Sequence, residues 1–366
     1  MGKKLFASLF LFLSGAVFSV LGEEVLSKIS KKTADGTCNP KASPAASKLL
    51  SYIAGVPSAN PRGILVGQQT AHGENVSYGM KEYVDNLQKE TGQYPSLVSA
   101  DYAYGAKRTD DPDLKAINKV LIEWWKKGGL VTVSWHARNP VTGGTAFDVA
   151  KPVDLKEILK PGTEVNKRWM AQLDRVAKGL AELLDAKVIV LWRPFHEMNG
   201  NWFWWGRQDY QGHKDDFNAL WRQMFDYFTK DKKLDNLIWV YAASGGAHEA
   251  SKAGHPNRSI AYYYPGNDYC DIVGIDRYLD NEVLPGYEEL LELGKPVACC
   301  EFGPKTEDGN FDSALFLQGL KENYPKISYC LAWDGNWSIV KNKNARLFMN
   351  DPAVITRGKI PSAVVR

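Results

Sequence analysis

Cysteine is sparse and odd in number. The 366-residue chain carries five, Cys38, Cys270, Cys299, Cys300 and Cys330. At least one thiol of a monomer therefore stays outside any disulfide, and the spacing matches no zinc site. Histidine is scarce too, at six. His196-Glu197 opens like the zinc-peptidase motif H-E-x-x-H, but position 200 is Gly; His248-Glu249 meets Lys at 252. A metallopeptidase does not fit, and no metal or other cofactor is expected. Net charge is nearly absent, +3 over the chain and +1 once Lys3 and Lys4 are discounted. The basic residues are dispersed, so no nucleic-acid partner is expected. Beyond residue 20 no apolar run is long enough for a bilayer span, and no membrane partner is expected. No internal repeat and no linker marks a second domain.

What is present begins with a leader. Residues 1–22 have the build of a secretory signal: Lys3 and Lys4, then an apolar run from Leu5 to Val20, with cleavage expected after Gly22. The mature protein is expected to be secreted and monomeric. Residues 23–50 are rich in Lys, Ser, Ala and Pro and read as a leader segment with a short helix near Ser43 to Ile53. Residues 51–366 read as one domain. Asn75, Asn257 and Asn336 each begin an Asn-x-Ser acceptor, used only where the source glycosylates.

Within that domain strand-like and helix-like segments alternate. Strands are expected at 64–68, 96–102, 130–135, 188–191, 237–241, 272–275, 296–300 and 327–331. Helices are expected at 78–88, 113–127, 166–184, 213–228, 286–293 and 311–322. The 166–184 segment carries Trp169, Leu173, Val176, Leu180 and Leu183 on one stripe. Eight strands alternating with helices predict an α/β fold, a single (β/α)8 TIM barrel. Polar residues follow the strands: Gln68 and His72, Asp101, His136, Glu197, Asp276 and Tyr278, Glu301, Trp333. A barrel collects all of them on one face.

The stretch 188–206, VIVLWRPFHEMNGNWFWWG, concentrates this chemistry. A β-branched apolar run breaks into Arg193, His196, Glu197, Asn199 and Asn201, then into Trp202, Phe203, Trp204 and Trp205. Indole faces suit the C–H faces of sugar rings, while carboxylates and amides suit hydroxyls. The composition agrees, with twelve Trp, seventeen Tyr and 12% aromatic residues. Retaining glycosidic cleavage needs one protonated and one ionised carboxyl, and Glu197 after strand four faces Glu301 after strand seven across the barrel mouth. Indole and phenyl groups around Glu197 favour the acid there.

WRPFHEMNGNWFWWG resembles the acid/base signature of glycoside hydrolase family 26, the β-mannanase family of the large clan of retaining barrel glycosidases. KPVACCEFGP (295–304), GIDRY (274–278) and the His of SWHARNP (134–140) fit the same pattern. The resemblance covers nearly all of 60–350 and implies Glu197 as acid/base and Glu301 as nucleophile. It implies that His196 contacts the sugar near its 2-hydroxyl, and that Tyr278 orients the nucleophile with Asp276 facing the same pocket. It implies that Trp202 and Trp333 stack on sugar at the cleavage point, and that His136 and Asn139 line the next subsite. Arg193 would hold a carboxylate. The implied substrates are β-mannan polysaccharide or manno-oligosaccharides, cut by endo action. Asp334 stands where some relatives carry a basic residue, which leaves the preferred chain length open. A β-1,3-xylanase, a mixed-linkage β-glucanase and a non-catalytic carbohydrate-binding barrel remain as alternatives.

Overall fold

The computed structural model describes residues 36–105, 108–206, 210–251 and 258–365. The expected signal segment lies outside them, as does Asn257. Eight strands run in chain order: β1 (Ile64–His72), β2 (Leu97–Asp101), β3 (Leu130–Trp135), β4 (Val190–Pro194), β5 (Leu237–Ser244), β6 (Ile272–Tyr278), β7 (Val297–Gly303) and β8 (Ile327–Ala332). Each pairs in parallel with its neighbours, and β8 returns to β1, which pairs with β2. The closed ring is the expected (β/α)8 barrel and leaves no edge within it. A two-residue strand, β9 (Val354–Ile355), pairs with the start of β1.

Physical reasons for these elements are local. Strands β2 to β5 are buried at every position, as continuous apolar runs covered on both faces should be. Helix Glu164–Asp185 starts where the Thr163 hydroxyl accepts the Asn166 N–H. Its buried stripe includes Trp169, which stacks on Trp135 of β3 at 5.6 Å between centroids. Helix Leu114–Lys126 is capped in the same way by Asp113.

Three features depart from expectation. Strands β4 to β8 continue past their apolar runs, because the ladder carries on through the polar residues; Asp276 pairs with Glu301 and Tyr278 with Gly303. A helix, Gly245–Ser251, follows β5 where the sequence offers no apolar stripe. The compact unit starts at Thr37 rather than at 51. Helix Pro44–Gly55, capped by Ser43, buries Ala46, Leu49, Leu50 and Ile53, and Asp271 accepts the Cys38 backbone N–H. The Ser/Ala/Pro composition hides an i, i+3, i+4, i+7 stripe there. All five cysteines are unbridged thiols. Among the described residues no helix is long and apolar enough to cross a membrane.

The helical crossover after β1, residues 76–91, lies so close to the barrel that a Cβ on Gly79 would fall inside the Thr70 carbonyl. Gly79→Ala must push strand and helix apart. It should cost about 1–3 kcal/mol of stability, the usual range for overpacking, readable as a fall in denaturant midpoint. An unchanged midpoint would contradict that close approach.

Candidate active site

The chain after β4 makes a turn that few side chains tolerate. Phe195 and Glu197 both have positive φ, 49° and 55°, which costs a non-glycine residue of order 1 kcal/mol. Packing and hydrogen bonds hold the turn. The Phe195 ring is buried against Trp169, Trp204 and Trp205, at 5.8, 6.2 and 5.8 Å. The Trp205 indole donates to the His196 carbonyl at 2.9 Å, and the Trp204 indole to the Ala137 carbonyl at 2.7 Å. The Glu197 N–H donates to the Ala242 carbonyl at 2.8 Å. Asn199 clamps the end of β5, donating to the Ser244 carbonyl and accepting the Ser244 N–H. Trp204 and Trp205 are therefore wholly buried anchors, not sugar-facing platforms, and the turn projects Glu197 into the barrel mouth.

The mouth is a cleft of about 440 Å³ lined by both Glu197 and Glu301. Their surroundings differ. Glu301 accepts from the Arg193 guanidinium through Oε1 and from the Tyr278 hydroxyl at 2.6 Å through Oε2. Arg193 also donates to Asp276 Oδ2 at 2.9 Å. Glu197 accepts from the Trp202 indole N–H through Oε2, at 2.6 Å. Burial, followed by the charge of Glu301, pushes the Glu197 pKa up to about 8. Burial and Glu301 also hold the Asp276 carboxyl well above the usual range, against the opposing pull of Arg193. One carboxyl is thus kept protonated and another is supplied with two strong donors, the division of labour a glycosidase needs.

Of the other residues expected at the site, His136, His196, Trp202, Asp276, Tyr278 and Trp333 all line the cleft. His196 is buried, and its Nδ1 has no hydrogen-bond partner. Burial, then His136 and Arg193, hold that imidazole well below its usual pKa, so it stays neutral. Asn139 does not fit the expectation. Its amide donates to the Asp148 carbonyl and accepts the Val141 and Thr142 N–H groups. Buried and outside the cleft lining, it shapes the loop after β3. Phe147 was not foreseen. It sits in the same loop, is 41% exposed, lines the cleft and stacks on His136 at 5.9 Å. A lone Phe in a polar connection carries no sequence signal beyond its position. Cys300 is buried against the Tyr329 hydroxyl at 3.2 Å, a packing role.

Among the described residues one group could hold a metal ion: His72, Asp101 and His136, with potential ligand atoms within 4.8 Å of one another. Asp101 Oδ1 already accepts the Ala103 and His136 N–H groups, at 2.9 and 3.1 Å. Its Oδ2 accepts the Ser134 hydroxyl at 2.6 Å and contacts His136 Nδ1 at 2.8 Å. Four donors fill a carboxylate's capacity, so the group is a saturated hydrogen-bond cluster.

The family model described as glycosyl hydrolase family 26 matches residues 38–359. The chain belongs to glycosyl hydrolase family 26. It is similar to the mannan endo-1,4-beta-mannosidase of Bacillus subtilis strain 168, 34% identical over 354 residues, covering 94% of each chain. A solved structure of a Bacillus subtilis mannanase matches with a TM-score of 0.82 at 34% identity, covering 90% of this chain and 97% of that one. A β-mannanase from a symbiotic protist of the termite Reticulitermes speratus, complexed with a gluco-manno-oligosaccharide, matches at a TM-score of 0.69. It is 29% identical and covers 89% of this chain and 97% of that one.

A raised carboxyl pKa has a stability consequence of fixed sign. Between the ordinary carboxylate range and about pH 8 the folded protein keeps a proton on Glu197 that the unfolded chain has released. Stability attributable to this group is therefore present at low pH and lost as pH rises through about 8. Gln has no proton to lose. The melting temperature of Glu197→Gln should gain on the wild type steadily from about pH 5 to about pH 9. A mutant that instead loses ground to the wild type over this interval would reverse the reading of Glu197.

Proposed function

We propose that the protein is an endo-β-1,4-mannanase that hydrolyses mannan, glucomannan and galactomannan backbones by a retaining double displacement. One observation carries the reading: two buried carboxyls in one cleft, Glu301 bound by Arg193 and Tyr278, and Glu197 kept protonated beside Trp202. The names of the similar proteins, mannan endo-1,4-beta-mannosidases over nearly the whole chain, support the choice of polysaccharide.

In the first step the Glu301 carboxylate attacks the anomeric carbon. The bond to the leaving sugar breaks, and the Glu197 proton goes to the departing oxygen. The ester at Glu301 removes the negative charge that helped raise the Glu197 pKa, so Glu197 is now a carboxylate able to act as base. It takes a proton from water, whose oxygen attacks the same carbon and releases Glu301. Two inversions leave the configuration unchanged. His196, held neutral, lines the cleft where the sugar undergoing attack would lie. Trp202 and Trp333 flank that sugar. Both carboxyls come from one chain, so a monomer suffices. The apolar N-terminal segment behind Lys3 and Lys4 suits export towards an insoluble polymer outside the cell.

The test is release of reducing ends by residues 23–366 from glucomannan, galactomannan, mixed-linkage β-glucan and β-1,3-xylan. The mannans should be cleaved, with β-configured ends appearing first by proton NMR. Glu197→Ala and Glu301→Ala should each cost at least about 100-fold, the lower range for a lost acid–base group. Cleavage of the glucan or xylan alone would keep the mechanism and overturn the substrate. A folded protein active on none of the four would turn the reading to a binding barrel.

A further inference from the structure

His136 reaches the cleft with one imidazole edge, and the other edge is held by a residue outside it. Asp101, at the end of β2, is fully buried. Its Oδ2 lies 2.8 Å from His136 Nδ1, and its Oδ1 accepts the backbone N–H of the same residue at 3.1 Å. Ser134 and Ala103 complete the carboxylate's shell. The His136 ring is enclosed on its remaining sides: Phe147 stacks on it at 5.9 Å, and His196, His72 and Phe203 meet it edge-on at 4.5, 5.1 and 5.2 Å. No element of the hydrolytic step uses Asp101.

A carboxylate with four donors can only accept, so the imidazole nitrogen facing it must carry a proton. The hydrogen bond at one ring nitrogen fixes the role of the other. Nε2, across the ring from Asp101, is then the lone-pair nitrogen on the cleft side. We propose that Asp101 is a positioning residue that locks His136 in the Nδ1–H tautomer, so that Nε2 accepts a hydroxyl proton from the bound sugar. This deepens, and rests on, the mannanase reading of the same cleft. Burial would raise the Asp101 pKa, but His136 and His72 outweigh it and hold the group well below the usual carboxylate range. Asp101 therefore stays ionised, an acceptor towards Nδ1. Saturation of the same carboxylate is what sets this role apart from metal ligation.

Asp101→Asn keeps the shape but can turn an N–H₂ towards Nδ1. The ring is then driven to carry its proton on Nε2, as a donor into the cleft. A double-mutant cycle with His136→Ala separates positioning from bulk support. In the wild-type background Asp101→Asn should lower kcat/KM for glucomannan roughly 10- to 100-fold, as expected for a hydrogen bond to a charged group. In the His136→Ala background it should cost about twofold or less, because the interaction it serves is gone. Equal losses in both backgrounds, or no loss in the first, would overturn the proposal. Nitrogen-15 spectra of the wild type, with His136 assigned by its absence from His136→Ala, give a second readout that needs neither activity nor a folded Asp101 variant. Protonated Nδ1 is expected, and a ring protonated only at Nε2 would sink the idea. If the wild type cleaves no mannan, the function fails while the tautomer still decides the positioning.

Discussion

One guanidinium decides the electrostatics of the barrel mouth. Arg193 is the cation the structure pairs with the buried carboxyls there, and three carboxyls, Glu197, Asp276 and Glu301, line the same cleft. Ionising all three in so dry a place would be prohibitive. Donors settle which one carries the charge. Glu301 has Arg193 and the Tyr278 hydroxyl. Asp276 has the other arm of Arg193, with Oδ1 left unpartnered. Glu197 has an indole N–H. Burial and the charge of Glu301 raise the pKa of both Glu197 and Asp276. Acid and nucleophile are thus one arrangement, since the charge on Glu301 helps keep the proton on Glu197.

That arrangement needs Glu197 in a backbone conformation it would not choose. The aromatic mass beneath β4 supplies the constraint. Trp169, Trp204, Trp205, Phe217 and Trp221 surround Phe195, and two indole N–H groups fasten the loop to the carbonyls of Ala137 and His196, just past β3 and β4. The abundance of tryptophan has two causes in this molecule. A few rings meet the cleft, and more of them overdetermine a strained turn.

This split bears on how much could be read from the chain alone. The barrel was legible because eight apolar runs alternate with amphipathic stripes, and burial on both faces leaves a strong imprint. Glu197 and Glu301 stand out in the sequence because each ends such a run inside a dense local pattern, and the fold brings both into one cleft. Trp204 and Trp205 were misread as sugar-facing because composition names a ring without giving its direction. Asn139 lies away from the cleft lining for a related reason: its partners, Val141, Thr142 and Asp148, are near in sequence, but only the closed loop shows that they draw it into a buried position. The folded start at Thr37 was hidden by a helix whose composition resembles a linker.

Asp101 marks the limit most clearly. Sequence places it at a strand end, beside His136 in a row of polar residues, and gives it no task. Its role follows from stoichiometry: four donors on one carboxylate, two of them from a single histidine. The same logic separates the two imidazoles of the cleft. His136 is tied at Nδ1, whereas His196 has Nδ1 unpartnered and is kept neutral by burial beside a cation. Two histidines in edge contact at 4.5 Å thus line the cleft in different hydrogen-bonding states, one set by an anion behind it and one by desolvation. A site that must tell mannose from its epimers gains from this, because directional donors and acceptors discriminate hydroxyl orientation far better than apolar contact does.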